Sequence, residues 1–359
     1  MTDPDARLTA AIENATIPPP SETALAASTA VRVFASLEDL LAEVAERTPF
    51  MTSDSKSGSR FERVRYHDQP MILKYVSLDD DWIMRGTGDL DCRALRFFSS
   101  GLTDGIPASI DHVTVAVAPN ISRRGHRGAA LLLRDASALL VPPGHTGIDV
   151  EQHLRFIDHM VELHAAFWGW RDDLSLMPVA HHYMFLTPAM ADLEAERGGI
   201  DPVPPAVAAG WRALDRSAPR IASTLRELAR DPGPLVTALS ATPHALVHGD
   251  WKFGNLGEHD DGRTILLDWD RVGAAPATVD LAWYLAVNCD RLPLSKEETI
   301  AAYRASLERH AVDTSAWWSH QLALTLLGAG LQLGWDKVGD RNEFGWWEDR
   351  ITEGVEHLA

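Results

Sequence analysis

Apolar residues recur along this chain at two different spacings, and the change from one to the other divides it. The stretch ASLEDLLAEVAERTPF places Leu37, Leu40, Leu41 and Val44 at steps of three and four, which predicts a helix. A polar turn follows in TSDSKSGS, residues 52–59. FERVRY and PMILKYVS then flank His67, Asp68 and Gln69 in the manner of a β-hairpin. Asp89 to Ser99 fits a further helix, and HVTVAVA and GAALLLRD read as two more strands.

From VPPGHTG onward the period is helical. Over residues 149–169, Leu154, Ile157, Val161, His164 and Trp168 recur at steps of three and four. Helical segments follow at 205–230, broken at Ser217-Ala218-Pro219, and at 277–288, 296–309, 316–333 and 342–357. Only ALVHGD to LLDWD interrupts them, with two short strands, LVH and TILLD. The sum is a small sheet domain ending near residue 140, then a larger helical domain, with residues 1–28 as a loose extension ahead of both.

Composition narrows the class. The 359 residues are 45% apolar, enough for two cores of ordinary size, and the formal charge is −18. That balance argues against a long basic face, and so against a main role on nucleic acid or an anionic membrane. Cys92 and Cys289 have no neighbouring cysteine for a metal knuckle and read as free thiols of a reducing compartment. The first 20 residues lack the apolar run of a secretory signal, and LALTLLGAGLQLGW is too short and interrupted to span a bilayer. A cytoplasmic protein is expected.

The polar groups inside ALVHGDWKFGNLGEHDDGRTILLDWD carry the chemistry. An LVH/TILLD hairpin turning at GEHDDGR would hold Asn255 before its turn and Asp268 after its return strand, with Asp250 on the entering loop. A carboxylate and an amide oxygen are hard ligands suited to Mg²⁺ on phosphate oxygens. Asp250 precedes them, placed to orient an incoming hydroxyl and accept its proton. Lys252 is a candidate to steady a moving phosphoryl group as a point charge. Gly249 and Gly254 allow tight backbone turns beside these groups, and His248 is expected to hold the loop by hydrogen bonds.

HGDWKFGN followed by LLDWD resembles the catalytic-loop and metal-binding motifs of the aminoglycoside phosphotransferase and choline-kinase-like family. VELHAAFW at 161–168 and DLAWYL at 280–285 resemble the helices on either side, and the likeness runs over roughly residues 50 to 345. It implies an α+β, protein-kinase-like fold in two lobes: a small antiparallel-sheet N-lobe at 29–140 that binds nucleotide, and a larger helical C-lobe at 141–359 that holds the catalytic hairpin and the acceptor. It further implies ATP- and Mg²⁺-dependent phosphorylation of a small-molecule hydroxyl. Asp250 matches the base, Asn255 and Asp268 the Mg²⁺ ligands, and Asp280 a buried brace of the catalytic loop; Asp270 sits near the metal.

On the nucleotide side, Lys74 in MILKYV is costly to bury unless paired, and the resemblance gives it the α- and β-phosphates. SKSGS resembles the phosphate-covering turn, with Gly58 and Ser59 as its binding residues, and LLLRDASALL the run between lobes where adenine would sit. One departure stands out. Relatives place a Glu on the following helix to pair with the strand lysine, whereas RALRFF has Ala94 there, leaving Asp89 or Asp91 to reach Lys74. That departure keeps a catalytically weak, nucleotide-binding regulatory protein as the alternative. HMVELH has the wrong spacing for a zinc site and reads as core histidines. The acidic balance suits an amino-bearing alcohol as acceptor, and the late tryptophans serve either an acceptor pocket or the core.

Overall fold

The computed structural model describes residues 30–51, 56–122 and 124–358, so the extension expected at 1–28 and residues 52–55 of the polar turn lie outside the described residues. The first six-stranded sheet draws on β1 (Arg32–Val33), β2 (Val44–Phe50), β3 (Arg60–Tyr66), β4 (Gln69–Ser77), β6 (Thr114–Ile121) and β7 (Arg127–Arg134), with β5 (Ile110–Asp111) branching off elsewhere. Its order is β1-β6-β7-β4-β3-β2, antiparallel apart from β1 on β6. The β3–β4 hairpin turns at His67 and Asp68, both at positive φ, as a tight two-residue hairpin requires.

One expectation is corrected here. The first helix among the described residues, Leu37–Ala42, stops at Ala42, and Val44 begins β2. Ser36 caps the helix by accepting from the Asp39 backbone, but its two turns are too short to propagate against a competing partner. That partner is β3, which pairs with β2 from Val44 opposite Tyr66 to Phe50 opposite Phe61. The second helix is also shorter than expected: it spans Arg93–Ser99, and Asp89 accepts from the Arg93 backbone rather than starting the helix. A short helix, Trp82–Gly86, precedes it unforeseen.

Alternation along the strands decides where Lys74 points. Leu73, Tyr75, Ala116, Ala118, Ala130 and Leu132 share one face and pack under the first helix. Val76, Val117, Ala129 and Leu131 take the other face and join the core that continues into the helical lobe. Lys74 lies on this second face, buried, so the solvent-edge placement that alternation alone permits is not adopted.

The helical lobe is built on Val150–Ala166, Thr278–Val287, Lys296–Arg309, Trp318–Lys337 and Arg341–Glu356, close to the predicted spans. Asp149 caps the first of these and Ser295 with Glu298 forms a capping box on the third. The break at residues 217–219 is present between Val203–Ser217 and Pro219–Arg230. Trp318–Lys337 is apolar on nearly every side and is buried on nearly every side, with Trp318, Trp335 and Trp347 in the core around it. No helix among the described residues is long and apolar enough to cross a membrane.

The polar hairpin also pairs differently from the expectation. β8 (His244–Val247) pairs with β11 (Gly273–Pro276), while the hairpin proper is β9 (Leu256–Glu258) with β10 (Thr264–Leu266), turning at Asp261-Gly262. LVH is therefore not the partner of TILLD. The reason is reach: residues 248–255 form a loop that reverses the chain before the first hairpin strand begins, so Asn255 precedes β9 rather than the turn. β10 also pairs in parallel with β5, and the Val141 backbone donates to Leu256 O at 2.8 Å, tying the run between the lobes to this hairpin.

Candidate active site

The loop after β8 is fixed by a buried carboxylate. Asp280, in the first turn of Thr278–Val287, accepts from the backbone nitrogens of His248 at 2.8 Å and Gly249 at 2.7 Å, and His164 Nε2 lies 3.1 Å from its Oδ2. Burial alone would raise this carboxyl's pKa, but the hydrogen bond and charge of His164 and the bonds around His248 hold it below the ordinary range. Tyr303 OH in turn bonds His164 Nδ1 at 2.7 Å, so both ring nitrogens of His164 are engaged. The imidazole of His248 spans the turn, with Nε2 bonded to Leu267 O at 2.9 Å and Nδ1 accepting from the Asp250 backbone at 3.2 Å. Its expected structural role matches this geometry. Gly249 adopts φ +78°, and a Cβ there would collide with the carbonyl of Arg271. Gly254 carries no such constraint, since a Cβ would meet only the Lys252 side chain at ordinary contact distance.

Asp250 emerges from this turn with every lone pair directed. Its Oδ1 accepts from Trp283 Nε1 at 2.9 Å and Arg271 NH1 at 3.3 Å; its Oδ2 accepts from Lys252 Nζ at 2.6 Å and Asn255 Nδ2 at 2.8 Å. Asn255 also donates to the Asp250 carbonyl at 3.0 Å, so its amide nitrogen is committed and its oxygen is the atom left for a cation. Leu267 N donates to Asn255 O at 2.8 Å, which brings the end of β10 beside Asn255 and sets Asp268 next to it. Asp268 sits at φ +58°, a strained conformation for a residue with a Cβ, and its side chain is half exposed.

Lys74 reaches this group from the opposite lobe. Its Nζ lies 2.7 Å from Asp268 Oδ1 and 3.1 Å from Asp270 Oδ2. Burial favours the neutral amine, yet the two carboxylates outweigh it and the pKa is raised, so the lysine is charged. Asp268 shows the reciprocal effect: desolvation by the atoms around Lys74 opposes its charge, and the charge of Lys74 outweighs it and lowers the pKa. Neither Asp89 nor Asp91 takes the part of the missing Glu: Asp89 caps residues 93–99, and Asp91 is exposed and 3.6 Å from Arg127. Thr87 O, at the start of the stretch from 87 to 92, is bonded to His181 Nδ1 at 2.7 Å in the helical lobe.

The phosphate-turn candidates lie beside Asp81. Ser59 Oγ donates to Asp81 Oδ2 at 3.2 Å, Trp82 Nε1 donates to Lys56 O, and Gly58 at φ +82° leaves no room for a Cβ against Asp80 O. Asp81 caps residues 82–86, and burial followed by the charge of Asp270 pushes its pKa up to about 7, with Lys74 opposing. The turn is thus tied to the same acidic group that holds Lys74. Three members of the site escaped the sequence reading. Arg271 and Trp283 are buried among apolar residues and stack on each other at 4.3 Å, and Asp81 reads as an ordinary helix cap. The signal for Arg271 was an arginine directly after LLDWD and ahead of the small, apolar VGAAPA.

Residues 142–314 match the model described as the phosphotransferase enzyme family. No curated protein matches the chain. Among solved structures, the chain is similar to an aminoglycoside-3'-phosphotransferase of type VIII, with 19% identity, 84% of this chain and 97% of that one covered, and a TM-score of 0.43. It is also similar to an aminoglycoside phosphotransferase from Streptomyces rimosus, at 16% identity, 84% and 100% coverage and a TM-score of 0.44. A microcompartment-associated aminopropanol kinase gives 12% identity, 89% and 94% coverage and a TM-score of 0.43.

Proposed function

We propose, from the match of residues 142–314 to the phosphotransferase enzyme family and from the site's chemistry, that the chain moves the γ-phosphoryl group of ATP to a hydroxyl of a small molecule. One observation supports the reading: Asp250 and Asn255 are hydrogen-bonded, the backbone bond from Leu267 to Asn255 brings Asp268 alongside, and Lys74 reaches Asp268 from the opposite sheet. Asp250 is the base, and its Oδ2 takes the proton of the attacking hydroxyl. Lys252, only partly buried, leaves Oδ2 for the phosphoryl group when substrate is present. The donor set fits Mg²⁺: the free amide oxygen of Asn255 and the half-exposed carboxylate of Asp268 are hard oxygens, and the bound ion supplies charge for the phosphates. Lys74 anchors the α- and β-phosphates, and the turn with Gly58 and Ser59 covers them.

The acceptor is a small alcohol held by the helical lobe, and the acidic balance suits one that carries an amino group. The test is turnover of Mg-ATP over a panel of sugars, amino alcohols, aminoglycosides and macrolides, reading ADP and phosphorylated product. A phosphorylated alcohol supports the reading, with Asp250→Asn retaining nucleotide binding while losing about two orders of magnitude or more in turnover. A protein that binds Mg-ATP and phosphorylates nothing on the panel would instead be the regulatory, non-catalytic form.

A further inference from the structure

We propose that Trp283 is a positioning residue for the base, and that the two oxygens of Asp250 have separate tasks: Oδ1 is anchored and Oδ2 reacts. The inference rests on the phosphotransferase reading above. It starts from burial on the two sides of the carboxylate. Trp283 and Arg271, which hold Oδ1, are both buried, at 5% and 3% exposure, and the indole and guanidinium stack at 4.3 Å. Arg271 is also wedged against the Phe185 ring at 4.9 Å, so neither donor can leave without opening the core. On the other side, Lys252 has 31% of its side chain exposed on a flexible stem. The mobile donor is therefore on Oδ2 alone.

The chemistry of the donor matters as much as its position. An indole N–H donates and never accepts, and it carries no charge and does not titrate. At 2.9 Å from Oδ1 it fixes the carboxylate's rotation about its side-chain bonds. It does so without adding a further cation to Arg271 and Lys252, which would weaken the carboxylate as a proton acceptor. Arg271, at 3.3 Å, is the longer of the two contacts. Trp283 comes from the same helix as Asp280, three residues on, so one helix braces the loop backbone and aims the side chain it presents. Pre-set orientation of a base is worth orders of magnitude when the misplaced alternative is free rotation.

Trp283→Phe keeps an aromatic ring against Arg271 and removes the N–H together with part of the indole. Two measurements follow. In ¹⁵N-labelled protein the indole signal lost in Trp283→Phe identifies Trp283, and Asp250→Ala should shift that signal; a signal that stays put overturns the proposal. Steady-state kinetics with the best alcohol from the panel should show kcat down about tenfold with KM for Mg-ATP unchanged, and with a fall in melting temperature no larger than that of Trp283→His. Trp283→His, which restores a ring N–H, should recover part of the loss. Equal kcat in wild type and Trp283→Phe overturns the proposal, as does a loss that merely tracks KM or melting. A wild type inactive on every alcohol would bring down the phosphotransferase reading and this inference with it, an outcome distinct from an active wild type matched by its variant.

Discussion

Lys74 Nζ and Asp268 Oδ1 lie 2.7 Å apart although 194 positions separate them in sequence. The contact joins the inner face of the six-stranded sheet to the end of the hairpin in the helical lobe. A buried ammonium without a partner would cost several kcal/mol, so the two carboxylates are what keep Lys74 charged at that depth. The same contact answers the question raised by Ala94. The lysine's acid need not come from the helix after it, because Asp268 and Asp270 supply two.

Lys74→Met should therefore act on nucleotide binding more than on folding. It removes a charge-assisted contact worth about 1.5–3 kcal/mol, so the affinity for Mg-ATP should fall by about ten- to a hundredfold. Calorimetric titration of the variant with a non-hydrolysable ATP analogue and Mg²⁺ checks this, and unchanged affinity would remove Lys74 from the nucleotide site.

Asp280→Asn is expected to be a stability variant with a catalytic consequence. It removes the buried charge and turns one of the two accepting oxygens into an NH₂ donor, so one of the two backbone N–H groups loses its acceptor and His164 its charged partner, and it should cost about 3 kcal/mol or more in urea unfolding at pH 7. The pH dependence has a definite sign. A carboxyl whose folded pKa is depressed stabilises above its unfolded value, about 3.9, and that contribution is lost as pH falls through the folded value. The gap between wild type and variant should thus hold from pH 7 to about 5 and narrow below about 4. A gap that widens in acid would contradict a charged Asp280.

Gly249→Ala tests the turn that presents Asp250. The residue sits at φ +78°, and a Cβ would strike Arg271 O and crowd the His182 ring, at a cost of about 1–3 kcal/mol. Because the displaced chain carries the base and not the nucleotide contacts, kcat should fall further than affinity for Mg-ATP. Comparing the two in one preparation gives the answer, and equal losses would mean general loosening instead.

His182 is fully buried, and neither ring nitrogen has a hydrogen-bond partner. Burial, then the charge of Arg271, pushes its pKa down to about 3. An unfolded histidine titrates near 6.5, so between these values the unfolded chain binds the extra proton and stability falls as pH falls, by up to about 1.4 kcal/mol per pH unit. His182→Leu should flatten that part of the profile. Urea midpoints at pH 7, 5.5 and 4.5 for both proteins measure it; parallel slopes would show that the folded protein accommodates a charged His182.

The sequence alone determined the periodic parts and the local chemistry. The change of period near residue 140 follows from side-chain geometry within each element, and so do the β3–β4 hairpin, the late helices and the gathering of Asp250, Asn255 and Asp268 within 19 consecutive positions. Gly249 was legible because a turn needs positive φ at that place, and His248 because an imidazole in such a turn has two backbone groups to serve. Tertiary structure decided whatever depends on a partner far along the chain. Residues 44–50 became a strand because β3 offered its edge; LVH left TILLD for Gly273–Pro276; and Lys74 found Asp268 and Asp270 instead of Asp89 or Asp91. Arg271 and Trp283 look like core residues in one dimension and become donors to Asp250 only when the helix from residue 278 packs behind the loop. Hydrogen bonds and ion pairs act over about 3 Å, so which groups come within that range is settled by packing of whole elements, which no local pattern of residues encodes.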